Sequence, residues 1–147
     1  MVSAIVSKQI IIHVDNEIGT LAQITNLISD CGINLVAICA YAINRKGFIA
    51  FVSENNIRAK RILKDKGYDA KDEDVIVLTI DNKPGALRAV TEKIARVGVD
   101  ITLIYGTVEK KDRTSRLILV TEDNNSALAA IRLKLRNVKN DRKRILQ

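Results

Sequence analysis

Two short stretches of the sequence contain residue types that together can hold a small anion. DNEIGTL begins at Asp15, and DNKPGAL begins at Asp81, sixty-six positions later. Each stretch places a polar turn and a glycine before a helical pattern, so the first amide N–H groups of the helix lack intrahelical partners. Because the helix dipole is positive at this end, such a terminus binds an anion readily. The sequence therefore predicts two equivalent anion-binding turns.

The glycines of these turns are the central candidates for ligand binding. Gly19 and Gly85 lack the side chain that would keep a ligand away from the backbone. The carboxylate of a free amino acid would match the amides, while its ammonium group would need acceptors such as an asparagine or backbone carbonyl. Purely structural interpretations stay open. The glycines and the two aspartates are also typical of ordinary turns, and Thr20 with Gln23 fits a capping box.

The repeat extends into the helices that follow the two turns. Each helix carries an apolar stripe with the spacing i, i+3, i+7 and i+10, which is one helical face. Gly32 and Gly98 then follow, at the position where a helix commonly ends with a left-handed glycine. The stripes consist of Leu21, Ile24, Ile28 and Cys31 in the first copy and of Leu87, Val90, Ile94 and Val97 in the second.

The whole pattern predicts an α+β fold made of two similar modules. Each copy reads as strand, helix, strand, strand, helix and a last strand, which is short near Tyr68–Ala70 in the first copy and not evident in the charged NVKNDRKRILQ of the second. Two ferredoxin-like βαββαβ modules side by side, with an antiparallel sheet and helices on one face, fit this order. The expected modules are residues 1–71 and residues 72–147, the second with a basic C-terminal tail. The second helices are expected over about Asn56–Lys66 and Asn124–Arg136.

Two apolar strands indicate that both faces of the sheet are covered. LVAICAYAI and VIVLTI do not alternate apolar with polar residues, as a strand with one solvated face would. Helices cover one face, and we expect the other module or a second chain to cover the remainder. Modules of this size are marginally stable alone, which favours packing between copies. We therefore expect a homodimer.

Composition narrows the classes of function. The 147 residues are 47% hydrophobic and 3% aromatic, with a net charge of +7. No apolar run approaches the roughly 18 residues that a membrane span needs, and no signal peptide is evident. Cys31 and Cys39 are expected to be buried reduced thiols of a cytoplasmic protein. No catalytic triad, P-loop or metal-ligand cluster is present, so we expect a non-catalytic protein without a cofactor.

The basic tail leaves nucleic-acid binding open as an alternative. Between Arg132 and Gln147 the sequence has seven basic residues and one acidic residue, a composition that attracts phosphate backbones. RNA-binding proteins with a ferredoxin-like sheet stack bases on aromatic side chains of that sheet. Phe48 and Phe51 are a poor substitute for such a platform, so we expect no nucleic-acid partner.

The chain resembles a tandem pair of ACT domains, the small effector-binding modules attached to amino-acid biosynthetic enzymes. The residues that carry the likeness are DNEIGTLAQITNLISDCGIN and DNKPGALRAVTEKIARVGVD, and the resemblance extends from about Ser7 to Val138. The chain looks like a free-standing protein of two such modules. The resemblance implies a regulatory protein that binds a small-molecule effector, an amino acid, at domain interfaces and acts on its own pairing or on a partner enzyme or regulator.

The resemblance also implies a set of ligand-binding residues. Members of the family that bind amino acids use one asparagine in the turn and a second that opens the strand after the helix, often across a domain interface. Asp100 replaces the second asparagine in the second copy, and its carboxylate would repel that of a ligand. The implied set is Asn16, Ile18, Gly19, Thr20, Leu21 and Asn34 in the first copy, with Asn82, Pro84, Gly85, Ala86, Leu87 and Asp100 in the second.

Overall fold

One antiparallel sheet of six strands carries four helices on one face. The computed structural model describes residues 2–108 and 113–133. The strand order is β2-β3-β1-β4-β6-β5, and the α+β prediction with helices on one face is confirmed. The elements are β1 (Val2–Asp15), α1 (Thr20–Asp30), β2 (Leu35–Ile43), β3 (Lys46–Ser53), α2 (Asn56–Asp65), β4 (Ala70–Asp81), α3 (Ala86–Arg96), β5 (Ile101–Val108), β6 (Thr114–Thr121) and α4 (Asn124–Arg132).

The two central strands, β1 and β4, belong to both halves of the sheet. Residues 2–12 of β1 pair with residues 70–80 of β4. On the other edge of each strand, the last part of β1 (residues 10–15) pairs with β3, and the last part of β4 (residues 76–81) pairs with β6. Residues 2–7 therefore stand where the second βαββαβ module needs its last strand, which the sequence pattern did not reveal. The segment NVKNDRKRILQ lies outside the described residues. The expected division between residues 71 and 72 falls inside β4 and stays a prediction.

An approximate two-fold axis passes between Lys8 and Asp74. These residues face each other in the β1–β4 register and are also equivalent positions of the sixty-six-residue repeat. The side-chain amide of Asn56 donates to the carbonyl oxygen of Lys8 at 2.8 Å, and that of Asn124 donates to the carbonyl oxygen of Asp74 at 3.0 Å. The same contact thus holds the start of α2 and of α4 to the centre of the sheet.

The helices form two equivalent cores against the sheet. One core packs α1 and α2 against β1 and β3, and the other packs α3 and α4 against β4 and the start of β1. Ala4 belongs to the second core, and the Arg132 guanidinium donates to its carbonyl oxygen at 3.0 Å. α4 ends at Arg132, earlier than the predicted Arg136, because Leu133 has an extended backbone. The buried members of the predicted helical stripes are Ile24, Ile28, Val90 and Ile94.

The helix-free face is covered in part by the other half of the same chain. β2 and β5 stand at opposite ends of the sheet order, yet they contact each other across this face. Ala37 and Val52 from the first half pack there with Val75 and Ile118 from the second. A register shift between Leu35 and Ala37 turns Leu35 toward the helical core, so Leu35 and Ala37 lie on opposite faces of the sheet although strict alternation along LVAICAYAI would place them on one face.

A buried glutamine ties the edge strand β5 to the sheet centre. Gln9 is fully buried; its side-chain amide donates to Glu73 Oε1 at 2.8 Å and its Oε1 accepts from the Tyr105 hydroxyl at 2.8 Å. Burial raises the pKa of Tyr105, with the neighbouring Cys39 and Glu73 adding to the increase. The phenol therefore stays protonated and remains a hydrogen-bond donor at neutral pH.

We expect removal of residues 2–7 to loosen the second half of the fold selectively. The deletion removes the pairing partner of residues 75–80 and the strand beneath α4. Amide hydrogen exchange should therefore accelerate in residues 75–80 and in α4. Residues 70–72 of the same strand are an internal control, because they pair with residues 10–12 and should keep their protection. Equal acceleration in both parts of β4 would contradict the shared-strand arrangement.

Tyr105→Phe should lower the free energy of unfolding by about 1–3 kcal/mol, because it leaves the buried Gln9 oxygen without its donor. Urea titration monitored by circular dichroism measures the change. Tyr41→Phe is the matched control: Tyr41 is 49% exposed, and its hydroxyl has no hydrogen-bond partner among the described residues. An equal effect of the two substitutions would argue against the role of the Gln9 contact.

Candidate functional site

The first predicted turn connects β1 to α1 and is held by backbone hydrogen bonds. The N–H of Asn16 donates to the carbonyl oxygen of Arg45 at 2.8 Å, which ties the turn to the β2–β3 hairpin. The N–H of Thr20 donates to the carbonyl oxygen of Glu17 at 3.2 Å and closes the turn. Gly19, the residue before Thr20, has φ of 91°, a left-handed conformation that favours glycine.

The second turn, between β4 and α3, repeats this geometry. Asn82 N–H donates to the carbonyl oxygen of Arg113 at 2.7 Å, and Ala86 N–H donates to that of Lys83 at 3.2 Å. Gly85 has φ of 87°. Arg113 is the counterpart of Arg45, but it lies two residues later than the sixty-six-residue repeat would place it. The reason is that the β5–β6 connection is longer than the β2–β3 connection. The two halves therefore fold alike where the repeat predicted it.

Both helix N-termini are open to an incoming group. Gly19 and Gly85 are the N-cap residues, and among residues 2–108 and 113–133 no side chain caps either terminus. The capping-box interpretation of Thr20 and Gln23 is therefore wrong; the N–H of Gln23 donates to the carbonyl oxygen of Gly19. A Cβ added at either glycine would meet no atom within 4 Å. The position that a Cβ would occupy at each of these glycines is thus open space.

Side chains around the first turn leave its surface partly apolar. Asp15 does not cap α1; its Oδ1 accepts from Lys46 Nζ at 2.6 Å, and this hydrogen bond lowers the pKa of Asp15. Ile18 is fully exposed and Leu21 is 43% exposed, although Leu21 begins the predicted core stripe of α1. Leu87 is likewise 39% exposed at the start of α3. These apolar groups flank the open amides and offer contacts to a ligand or to another chain.

A polar cleft of roughly 370 Å³ adjoins the first turn on the side of the α2–β4 connection. Tyr68 donates its hydroxyl hydrogen to Gln23 Oε1 at 3.3 Å across this region. Of the predicted site residues only Thr20 lines the cleft, whereas His13, Gln23, Tyr68 and Asp69 were not predicted. No sequence pattern marks these four, because they meet only when the end of α2 folds back beside the end of β1.

The two asparagines of the first repeat, Asn16 and Asn34, lie far apart in space. Asn34 follows the C-terminal end of α1, where its side-chain amide donates to Glu54 Oε1 at 3.4 Å and its carbonyl oxygen accepts from Glu54 N–H at 3.0 Å. An eleven-residue helix rises about 1.5 Å per residue, so Asn16 and Asn34 are separated by roughly 16 Å or more. Asn82 and Asp100 are separated in the same way by α3. Neither the first nor the second repeat therefore brings its own pair of predicted residues together.

The structure also shows where the two cysteines and two phenylalanines of the sequence analysis lie. Cys31 and Cys39 are free thiols, but they are half-buried and not buried as expected. Phe51 is fully buried, while Phe48 lies on the sheet between His13 and Tyr41. Among residues 2–108 and 113–133, no cluster of acidic, histidine and cysteine side chains could hold a metal ion, and no helix is long and apolar enough to cross a membrane. The basic segment from residue 134 onward lies outside these ranges.

Solved structures with the same fold include regulatory parts of an amino-acid kinase. The protein BT0572 from Bacteroides thetaiotaomicron is 24% identical and superposes with a TM-score of 0.81, covering 87% of this chain and 88% of its own. The regulatory subunit of aspartate kinase from Thermus flavus is 17% identical with a TM-score of 0.63, covering 88% and 94%. The ligand-free regulatory subunit from Thermus thermophilus is 16% identical with a TM-score of 0.61, covering 86% and 93%.

A search of curated proteins gave no match. The family model described as an ACT domain pair matches residues 5–144, which is nearly the whole sequence and includes both turns. Together with the duplicated βαββαβ fold, this match shows that the chain belongs to the ACT domain pair family.

Proposed function

We propose that this ACT domain pair is a non-catalytic regulatory protein that senses an amino acid at its two turns. The observation that carries the proposal is the duplicated helix terminus, in which a left-handed glycine precedes amides that no side chain caps. A ligand carboxylate placed there accepts from the free amides of Leu21 and Ala22 in the first copy, and of the equivalent residues in the second. No cofactor is needed for such binding.

The remaining groups of an amino acid also find suitable partners near the first turn. The side-chain oxygen of Asn16 and the carboxylate of Glu17 are exposed acceptors for the ammonium group. Ile18 and Leu21 supply exposed apolar surface for the side chain of the ligand. The second turn offers Asn82, but Lys83 replaces the acid, so the two copies differ in their preference for an ammonium group.

A complete site requires a second copy of the chain. Asn34 reaches the turn only from another molecule, because α1 separates the two within one chain. Within the described part of the chain, no strand pairs with the outer edge of β2 or of β5, and Ile38, Ile43 and Ile104 are exposed on these two strands. We propose a homodimer in which the turn of one copy lies beside Asn34 of the other. A two-fold interface would create the same composite site twice.

Regulation follows from this arrangement. An effector bound across the interface stabilises one pairing of modules over others, and only such differential affinity shifts an equilibrium. The altered pairing then changes the activity of a partner enzyme or regulator in the cytoplasm.

At least one of the twenty standard amino acids, at millimolar concentration, should raise the melting temperature of the protein. Thermal-shift measurement across the set identifies the effector, and the double variant Gly19→Ala/Gly85→Ala should abolish the shift. A Cβ at these positions costs about 1–2 kcal/mol of left-handed strain per site and adds a side chain directly before the first turn of each helix, where the proposed ligand binds.

Gly32→Ala/Gly98→Ala is the matched control for this double variant. Both glycines also have positive φ and no atom within 4 Å of an added Cβ, but they follow the C-terminal ends of the helices. The control should lose similar stability and keep the ligand-induced shift. If none of the twenty amino acids stabilises the protein, amino-acid sensing is the wrong function.

Mixing two defective variants tests the composite site. Asn34→Ala and Gly19→Ala chains should each bind the effector weakly in the first-copy site. If each site combines the turn of one chain with Asn34 of the other, exchanged dimers contain one intact site. Isothermal titration should therefore detect recovered binding after the variants are unfolded together and refolded. Recovery should be missing if both residues act within one chain.

A further inference from the structure

A second cavity lies on the helix-free face, away from both turns. Its volume is about 300 Å³, and its floor is formed by β1, β4 and β6 of the second half of the sheet. Val36 and Val52 from the first half of the sheet close one side of it. β2 and β5 contact each other over this face, and residues from both halves of the sheet line the cavity.

The floor of this cavity consists of one polar row and one apolar row across three neighbouring strands. The β-sheet register places Ser3, Thr79 and Arg116 side by side in the polar row. The next row on the same face contains Ile5, Val77 and Ile118. Ile5 is 54% exposed although it is a large apolar residue. A cation with two hydroxyl groups thus stands directly beside uncovered aliphatic surface.

Arg116 has no carboxylate partner in the part of the chain that the structure describes. None of the ion pairs or side-chain hydrogen bonds formed by residues 2–108 and 113–133 involves its guanidinium. No aspartate or glutamate is among the described residues that line the cavity. The guanidinium therefore keeps its planar set of donors available, and these match a carboxylate in a bidentate geometry.

The equivalent surface of the first half is filled. There His13 takes the place of Thr79, and Phe48 takes the place of Arg116. Phe48 packs on His13 with ring centroids 5.4 Å apart and on Tyr41 at 5.0 Å. The same backbone thus carries aromatic rings packed edge-on or tilted in one half, and a cation with small hydroxyl groups around a cavity in the other. Filling the cavity is compatible with the fold, so the fold itself does not require the open space.

We propose that this cavity binds a small aliphatic monocarboxylate. The carboxylate accepts from the Arg116 guanidinium and from the hydroxyl groups of Ser3 and Thr79, and the branched hydrocarbon covers Ile5 and Val77. An amino acid is a poorer ligand, because no carboxylate in the cavity balances its ammonium group. The cavity shares no residue with the two turns, so this proposal does not depend on amino-acid sensing at the turns.

Isovalerate titrated into the ¹⁵N-labelled full chain tests the proposal by amide chemical-shift changes. The amides of Ser3, Thr79 and Ile118 should shift with a saturable dependence on concentration. Isovaleramide, which has the same shape without the charge, should bind about tenfold more weakly or not at all, as the loss of a charge-assisted hydrogen bond predicts. Leucine should shift these amides less than isovalerate does.

Three variants separate the cavity from other anion-binding surfaces. Arg116→Met should weaken isovalerate binding by about tenfold or more. Thr79→His/Arg116→Phe, which copies the aromatic residues of the first half, should abolish it with the fold intact. Arg96→Met removes the same charge from the exposed end of α3 and should leave binding unchanged. Equal losses in Arg96→Met and Arg116→Met, or shifts confined to the amides after Gly19 and Gly85, would overturn the proposal.

Discussion

The antiparallel pairing of β1 with β4 is the constraint on which the rest of the structure depends. Residues 2–12 and 70–80 form one continuous ladder, and both helical cores rest on it. A module of this size is only marginally stable alone, and sharing two long strands removes an exposed edge from each half. The chain therefore folds as two interlocked modules, with its N-terminal segment completing the second one.

The shared ladder also determines where the two turns can lie. One turn follows the far end of β1 and the other follows the far end of β4, so they stand at opposite ends of the sheet. A ligand at one turn is therefore remote from the other within one chain. Cooperation between the turns requires a second copy or a change in the sheet between them, and this geometry suits a protein that reports ligand binding through its assembly.

The two halves share a backbone but have diverged at the positions that face each other across the helix-free side. Gln9 joins Tyr105 and Glu73 in one network, whereas its equivalent, Val75, packs among aliphatic side chains. Arg116 and Phe48 differ in the same way. Duplication supplied the symmetric frame, and substitution on the inner face gave the two ends of the sheet different chemistry. The helix termini, in contrast, kept the same hydrogen bonds.

The sequence by itself determined the duplicated fold, the glycine turns and the helical faces, because each depends on local spacing: Gly19 and Gly85 mark left-handed positions, and Ile24 and Val90 recur with the helical period. Only the tertiary structure decided that residues 2–7 complete the second module and that Asn34 contacts Glu54. Contacts between segments that are distant in the sequence leave no local periodic pattern, so the spacing of neighbouring residues does not predict them. For the same reason, the cavity beside Arg116 could not be read from its neighbours in sequence.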